Sequence, residues 1–310
     1  MRHCGGVDSV TRQRILSENP VRDYRQGQYA IYCILPDVPN YFWKDALRGM
    51  MENQLPEVPT KYNVYTKLGD TEAVMVYLEE ARCLKPQVLI LAAVLTEGLQ
   101  EKLTALMENT MVILLSEQEK LVNSFYVGSD AFQDGFRMGE LYCAQFRDRP
   151  LIYLSADGGR NIQLRLDGFR TAVGKRDPEL LKRAKMLPVA YEDMIYKRCA
   201  AANLALALSR VMDPSAACCL YIPWGVPQLP VAIGKVRKSG EPMICLTHDA
   251  GASQRHCASD YVISCNQDLY AQGKAAMQAA NRFVRERMYP AQKYLFLLSE
   301  LKWERTSGFR

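Results

Sequence analysis

From Tyr29 onward, short apolar runs of strand length alternate with segments in which apolar residues recur every three or four positions. The first run covers 29–35. A helical pattern follows over 41–54, with Ala46, Leu47, Met50 and Met51 on one face. The run YNVYTKL precedes a predicted helix over 71–84, and QVLILAAV at 87–94 is continuously apolar, as a parallel strand covered on both faces requires. A helix over 97–108, strands at 111–115 and in SFYVGS, and a helix over 131–147 complete a first set. The alternation restarts after the polar RDRP at 147–150. LIYLS at 151–155 leads to a helix over 162–174, AKMLPVA to one over 193–211, and ACCLYI at 217–222 to one over 226–239. PMICLT and DYVISC read as further strands, and a long amphipathic helix runs from Asp268 to Met288.

This order predicts an α/β protein of two doubly wound parallel-sheet lobes joined by hinge crossings. The expected boundaries are an N-terminal arm at 1–28, a first lobe of 29–148 plus 268–289, and a second lobe of 149–267 plus 290–310. Hinges are expected near 148–150, 265–268 and 288–293. The length of 310 residues agrees with two lobes, because a single core rarely grows past about 250–300 residues.

Composition changes this picture little. The formal net charge of +5 is spread along the chain, which predicts a mildly basic surface rather than a nucleic-acid patch. No run of about 18 apolar residues occurs, and the start MRHCGGVDSVTRQRIL has no apolar signal core; both predict a cytoplasmic chain without membrane contact. The ten cysteines are scattered, several inside apolar runs, and are expected to be buried free thiols in a reducing compartment.

In open parallel sheets, ligands lie beyond the carboxyl ends of the strands. PDVPNYFWKD places Tyr41, Phe42 and Trp43 just past the first such end, where the rings either open a helix as core residues or line a ligand site. Asn40 in the same turn can cap the helix or donate to a ligand. Enzymatic chemistry finds no support. Cys245, His248, His256 and Cys257 match no common zinc spacing, and SADGGRN at 155–161 is neither a G-x-G-x-x-G nor a P-loop. The expectation is therefore no metal, no cofactor and no catalytic role.

Four segments in order resemble the type I periplasmic-binding-protein fold and, within it, the effector-binding core of lac-repressor-like (LacI/GalR) regulators. They are ILPDVPNYFWKDALRGM, FYVGSDAFQDGFRMGELY, LRLDGFRTAV and CNQDLYAQGKAAM. The closing LFLLSELKWERTSG resembles the last strand of the regulator branch, and VTRQRIL at 10–16 resembles a remnant of the DNA-binding headpiece. The resemblance implies ligand roles for Asn40, for a ring among Tyr41, Phe42 and Trp43, expected to be Phe42 or Trp43 with another ring in the core, and for Asp130, Arg165, Asp249 and Gln267. Arg165 would grip paired hydroxyls or a carboxylate, so its loss is expected to weaken ligand binding and leave unliganded stability unchanged. Asp130 can serve as helix cap and ligand contact together. The sequence departs from the family at YIPWGVP, where Trp224 stands in place of a polar clamp and can stack on a ligand or fill the base of the cleft.

The implied function is sugar sensing by the core of a LacI-type transcriptional regulator, as a homodimer whose lobes close on a monosaccharide or a derivative. The alternative is the solute-binding receptor of an ABC-type sugar import system. No helix-turn-helix reads out of residues 1–28, so DNA contact is expected only if one is encoded upstream, and weak, non-selective binding otherwise.

Overall fold

The computed structural model describes residues 29–37, 40–119, 121, 123–195, 199–213, 216–226, 228–236, 243–250 and 261–305. The expected N-terminal arm, and His256 and Cys257, lie outside them. In chain order the elements are β1 (Ile31–Pro36), α1 (Asn40–Met51), β2 (Thr60–Tyr65), α2 (Thr71–Leu84), β3 (Val88–Leu91), α3 (Glu97–Leu106), β4 (Met111–Leu115), β5 (Phe125–Gly128), α4 (Ala131–Gln145) and β6 (Leu151–Ala156). There follow α5 (Arg160–Arg176), α6 (Pro178–Arg183), β7 (Lys185–Val189), α7 (Tyr191–Ile195), α8 (Ala200–Ser209), β8 (Cys218–Tyr221), α9 (Leu229–Val236), β9 (Met243–His248), β10 (Tyr261–Asn266), α10 (Leu269–Glu286), β11 (Tyr294–Phe296) and β12 (Glu300–Arg305).

The chain forms two compact units. Unit 1 comprises the chain up to Ser129 together with Asp268–Leu297, and unit 2 comprises Asp130–Gln267 together with the chain from Leu298. The sheet of unit 1 runs β11-β5-β4-β3-β1-β2 with every pairing parallel. Its central strands β1, β3 and β4 are apolar and fully buried because both faces are covered. Alternate residues serve opposite faces. Ile31, Cys33, Leu35, Val88 and Ile90 pack with Trp43, Ala46 and Met50 of α1 and with Ala276, Met277 and Ala280 of α10. Tyr32, Ile34, Leu89 and Leu91 pack with Val74 and Leu78 of α2 and Leu99 and Leu103 of α3.

Unit 2 repeats the scheme with the order β12-β10-β9-β8-β6-β7, parallel except for the antiparallel edge strand β12. Ile152, Leu154, Leu220 and Cys245 face Leu204 and Leu208 of α8 and Ile233 of α9. Tyr153, Cys219, Tyr221, Leu246 and Ile263 face Met138 and Tyr142 of α4 and Leu166, Phe169 and Val173 of α5.

The expected architecture is present, but its boundaries differ. Helix α4 groups with unit 2 rather than with the first lobe, because Gly135 lets its backbone press against the Arg165 carbonyl of α5. The chain crosses between units after residues 129, 267 and 297. Only the second crossing falls in a predicted hinge. The closing segment is two strands: Tyr294, Leu295 and Phe296 pair with Tyr126, Val127 and Gly128 and so belong to unit 1. The helix expected over 193–211 is divided into α7 and α8. The unpredicted α6 starts where Asp177 caps Glu179 N–H and Pro178 fixes the first turn.

Cys33, Cys218, Cys219, Cys245 and Cys265 are buried free thiols as expected, whereas Cys83 and Cys199 are exposed. Among the described residues no helix is long and apolar enough to cross a membrane.

Candidate functional site

Three strands of unit 2 end beside one another. β8 runs into Pro223 and Trp224, β9 into Asp249, and β10 into Gln267. Arg165, one and a half turns into α5, reaches this rim and is only 4% exposed. Its Nη2 donates to Asp249 Oδ2 at 2.8 Å and its Nη1 to the Pro223 carbonyl at 3.2 Å. Gln267 completes the shell: its backbone N–H donates to Asp249 Oδ1 at 3.0 Å and its Nε2 to Oδ2 at 3.1 Å. Asp249 sits in the left-handed region at φ 49°, a conformation that aspartate tolerates better than most residues. The Cys265 carbonyl accepts from Asp249 N–H, and Ser264 Oγ and Asn266 Oδ1 accept from Ala250 N–H, which holds the turn in place.

Burial pulls the Arg165 proton affinity down, and the Asp249 and Asp134 carboxylates more than offset this, so the guanidinium stays charged. Its Nε, also buried, makes no hydrogen bond among the described residues. A charged, planar donor fork with one unused N–H, beside a carboxylate, can bind vicinal hydroxyls or an acidic group.

Behind the rim lies a polar pair absent from the sequence reading. The Tyr221 ring stacks on Phe169 at 3.8 Å, and its hydroxyl lies 3.2 Å from the Arg165 carbonyl and 3.1 Å from His248 Nε2. With its one proton donated to the carbonyl, the hydroxyl accepts from Nε2–H of a neutral His248. Burial, aided by the Arg165 charge, drives the His248 pKa well below its ordinary value. The unfolded chain therefore binds a proton below about pH 6.5 that the folded chain does not, and stability falls as pH drops through that point. Urea unfolding at pH 7 and 5.5 is expected to show a loss of up to about 1.4 kcal/mol per pH unit below 6.5, largely removed in His248→Gln.

A recess of about 520 Å³ opens at the carboxyl ends of β6 and β7, lined by Ser155, Ala156, Asp157, Gln163, Pro188, Val189 and Ala190. Asp157 Oδ1 accepts from Tyr191 N–H at 3.2 Å, and Gln163 Nε2 donates to the Ala156 carbonyl at 2.5 Å. From sequence, this segment is neither a G-x-G-x-x-G nor a P-loop and carries no expected ligand role. The signal available was a serine and an aspartate at a strand's carboxyl end.

Of the predicted site residues, Arg165, Asp249 and Gln267 are brought into direct contact, with Trp224 following the carbonyl that Arg165 grips. The others are placed differently. Trp43 is 3% exposed and packs with Ala46 and Met50, so the expectation of a ligand-facing ring there is corrected: it is a core residue of unit 1. Phe42 is half-buried against the same core, edge-on to Trp43 at 5.0 Å. Trp224 is also 3% exposed and belongs to the core with Val226 and Leu229, with Tyr191 edge-on at 5.9 Å; it fills space rather than presenting a face. Asp130 caps α4, accepting from Gln133 N–H at 3.0 Å. Asn40 and Tyr41 open α1, and their side chains lie outside the described residues. Cys245 and His248 are both buried on β9, and no cluster of potential metal ligands occurs among the described residues.

Neither a scan against protein-family models nor a search of curated proteins finds a match. Solved structures do match. The glucose-galactose binding protein GanP from Geobacillus stearothermophilus superposes with a TM-score of 0.70 at 16% identity, covering 90% of this chain and 98% of its own. A carbohydrate transporter solute binding protein from Agrobacterium radiobacter, in complex with D-arabinose, gives 0.70 at 13% identity, covering 88% and 94%. A candidate LacI transcriptional regulator from Bacteroides fragilis gives 0.69 at 14% identity, covering 90% and 97%. The likeness is one of fold: the chain has the type I periplasmic-binding-protein architecture of two parallel-sheet α/β units.

Proposed function

We propose that the chain binds a sugar, a monosaccharide or a derivative of one, at the carboxyl ends of the unit 2 strands, and that it releases the sugar unchanged. The carrying observation is the buried Arg165–Asp249 pair at the strand ends, with Arg165 Nε unsatisfied and Asp249 held in a left-handed turn. Similarity in fold to proteins named for glucose, galactose and D-arabinose supports the ligand class. Within this reading, the chain is the cytoplasmic effector-binding core of a LacI-type regulator, acting as a homodimer. Its similarity to the Bacteroides fragilis protein supports that assignment. The fold it shares with the arabinose-bound transporter protein favours a second reading, a solute-binding receptor.

A panel of aldoses tested by thermal denaturation is expected to contain a ligand that raises Tm. At 100-fold over Kd the gain is about 2.7 kcal/mol, which amounts to several degrees for units of this size. A panel that leaves Tm unmoved overturns sugar binding. Sedimentation then separates the two readings: a regulator core is dimeric with and without sugar, and a receptor is monomeric in both states.

A further inference from the structure

The recess at the ends of β6 and β7 lies apart from the Arg165–Asp249 pair, which stands at the ends of β8 and β9 in the same sheet. Its volume of about 520 Å³ is within the range of small-ligand sites, about 300–1,000 Å³. Its chemistry is one-sided. The residues lining it include one carboxylate, Asp157, and no cation. One oxygen of Asp157 is taken by Tyr191 N–H, and Oδ2 makes no hydrogen bond among the described residues. The Gln163 amide is turned by its Nε2–Ala156 contact so that Oε1 stays unused, and Ser155 Oγ has no partner among the described residues. Three acceptors with spare capacity therefore border one recess.

A primary ammonium carries three donors and no acceptor, and so complements this set; a phosphate or carboxylate would meet Asp157 with like charge. We propose that the recess is an amine-binding subsite, and that the ligand of unit 2 is an amino sugar whose ammonium is held by Asp157, Gln163 and Ser155. This inference rests on the reading of unit 2 as a sugar-binding unit and narrows its substrate class. Asp157 is the residue that discriminates by charge. Tyr191, bound to Asp157 through its backbone and packed over Gly158, fixes the carboxylate in place.

The test is calorimetric titration of the full chain with glucose and galactose, their 2-amino and 2-acetamido derivatives, and their 6-phosphates. At least one amino sugar is expected to bind tenfold or more tightly than both its parent and its acetylated form, with the phosphates weakest. Asp157→Asn keeps an oxygen for Tyr191 N–H, and is expected to bring the amino sugar within threefold of the parent. Ser155→Ala is expected to lower amino-sugar affinity by a smaller factor. An amino sugar no tighter than its parent, or a preference that survives Asp157→Asn, overturns the inference. If parents and amino sugars bind alike and Asp249→Asn, checked for native secondary structure, abolishes both, the sugar-binding reading stands and the amine subsite falls. If no probe binds, both fall.

Discussion

Replacing Arg165 with alanine is expected to lower the folding stability of unit 2 by about 3–5 kcal/mol, the usual consequence of removing one partner from a buried ion pair. The side chains of Arg165 and Asp249 are 4% and 10% exposed, so water cannot take over what the guanidinium supplies. The Asp249 carboxylate would keep its two bonds from Gln267 and lose the Arg165 cation, while the Pro223 carbonyl would lose a donor. This revises the expectation, drawn from sequence, that Arg165 could be removed without affecting the unliganded chain. Urea unfolding of wild type, Arg165→Ala and the double variant Arg165→Met/Asp249→Leu checks it. The double variant strands no charge and is expected to recover most of the loss. A single variant within about 0.5 kcal/mol of wild type, the range of ordinary surface substitutions, would show that the pair is not buried in solution.

The second large effect is expected where helices touch backbone to backbone. A Cβ on Gly168 would stand 2.0 Å from the Phe132 carbonyl oxygen, and one on Gly135 would stand 1.9 Å from that of Arg165. Unit 1 repeats the device: Gly49 faces the Tyr270 carbonyl at 2.2 Å and Gly273 that of Ala46 at 2.0 Å. The obstacle is main chain in every case, so the helices must separate. Gly168→Ala and Gly273→Ala are each expected to cost about 3 kcal/mol or more, the upper end of overpacking penalties. Gly234 provides the contrast, since nothing lies within 4 Å of its Cβ position in α9. Gly234→Ala is expected to stabilise by about 0.5–1 kcal/mol through helix propensity alone. Denaturant midpoints for the three variants test the ordering directly.

The same glycines explain why the fold was legible. Gly49, Gly135, Gly168 and Gly273 each fall in one of the four segments whose resemblance suggested the architecture. The strands were legible for a different reason. Covered on both faces, VLIL and MVILL can hold nothing polar.

The site was legible only in part. Arg165 and Asp249 were flagged singly, but their burial depends on a partner 84 residues away, which no local pattern encodes. Trp43 was misplaced although the signal was present: Trp43, Ala46 and Met50 recur at helical spacing, the mark of a core stripe. Helix α4 was assigned to the wrong unit because sequence adjacency to β5 suggested its neighbour, whereas contact through Gly135 and Gly139 decides it.

The three crossings carry a consequence for any shortened form of the chain. β5 of unit 1 is followed, after the cap Asp130, by a helix of unit 2; β10 of unit 2 is followed, after the cap Asp268, by a helix of unit 1. Damage to the gene is therefore not confined to the half in which it falls. A stop codon after Gln267 would spare every residue from 130 to 267, yet it would strip unit 1 of its longest described helix and of edge strand β11, laying open the core around Ile31, Val88 and Trp43. The unit assembled mainly from residues before 130 is completed only once the segment 268–297 has been made.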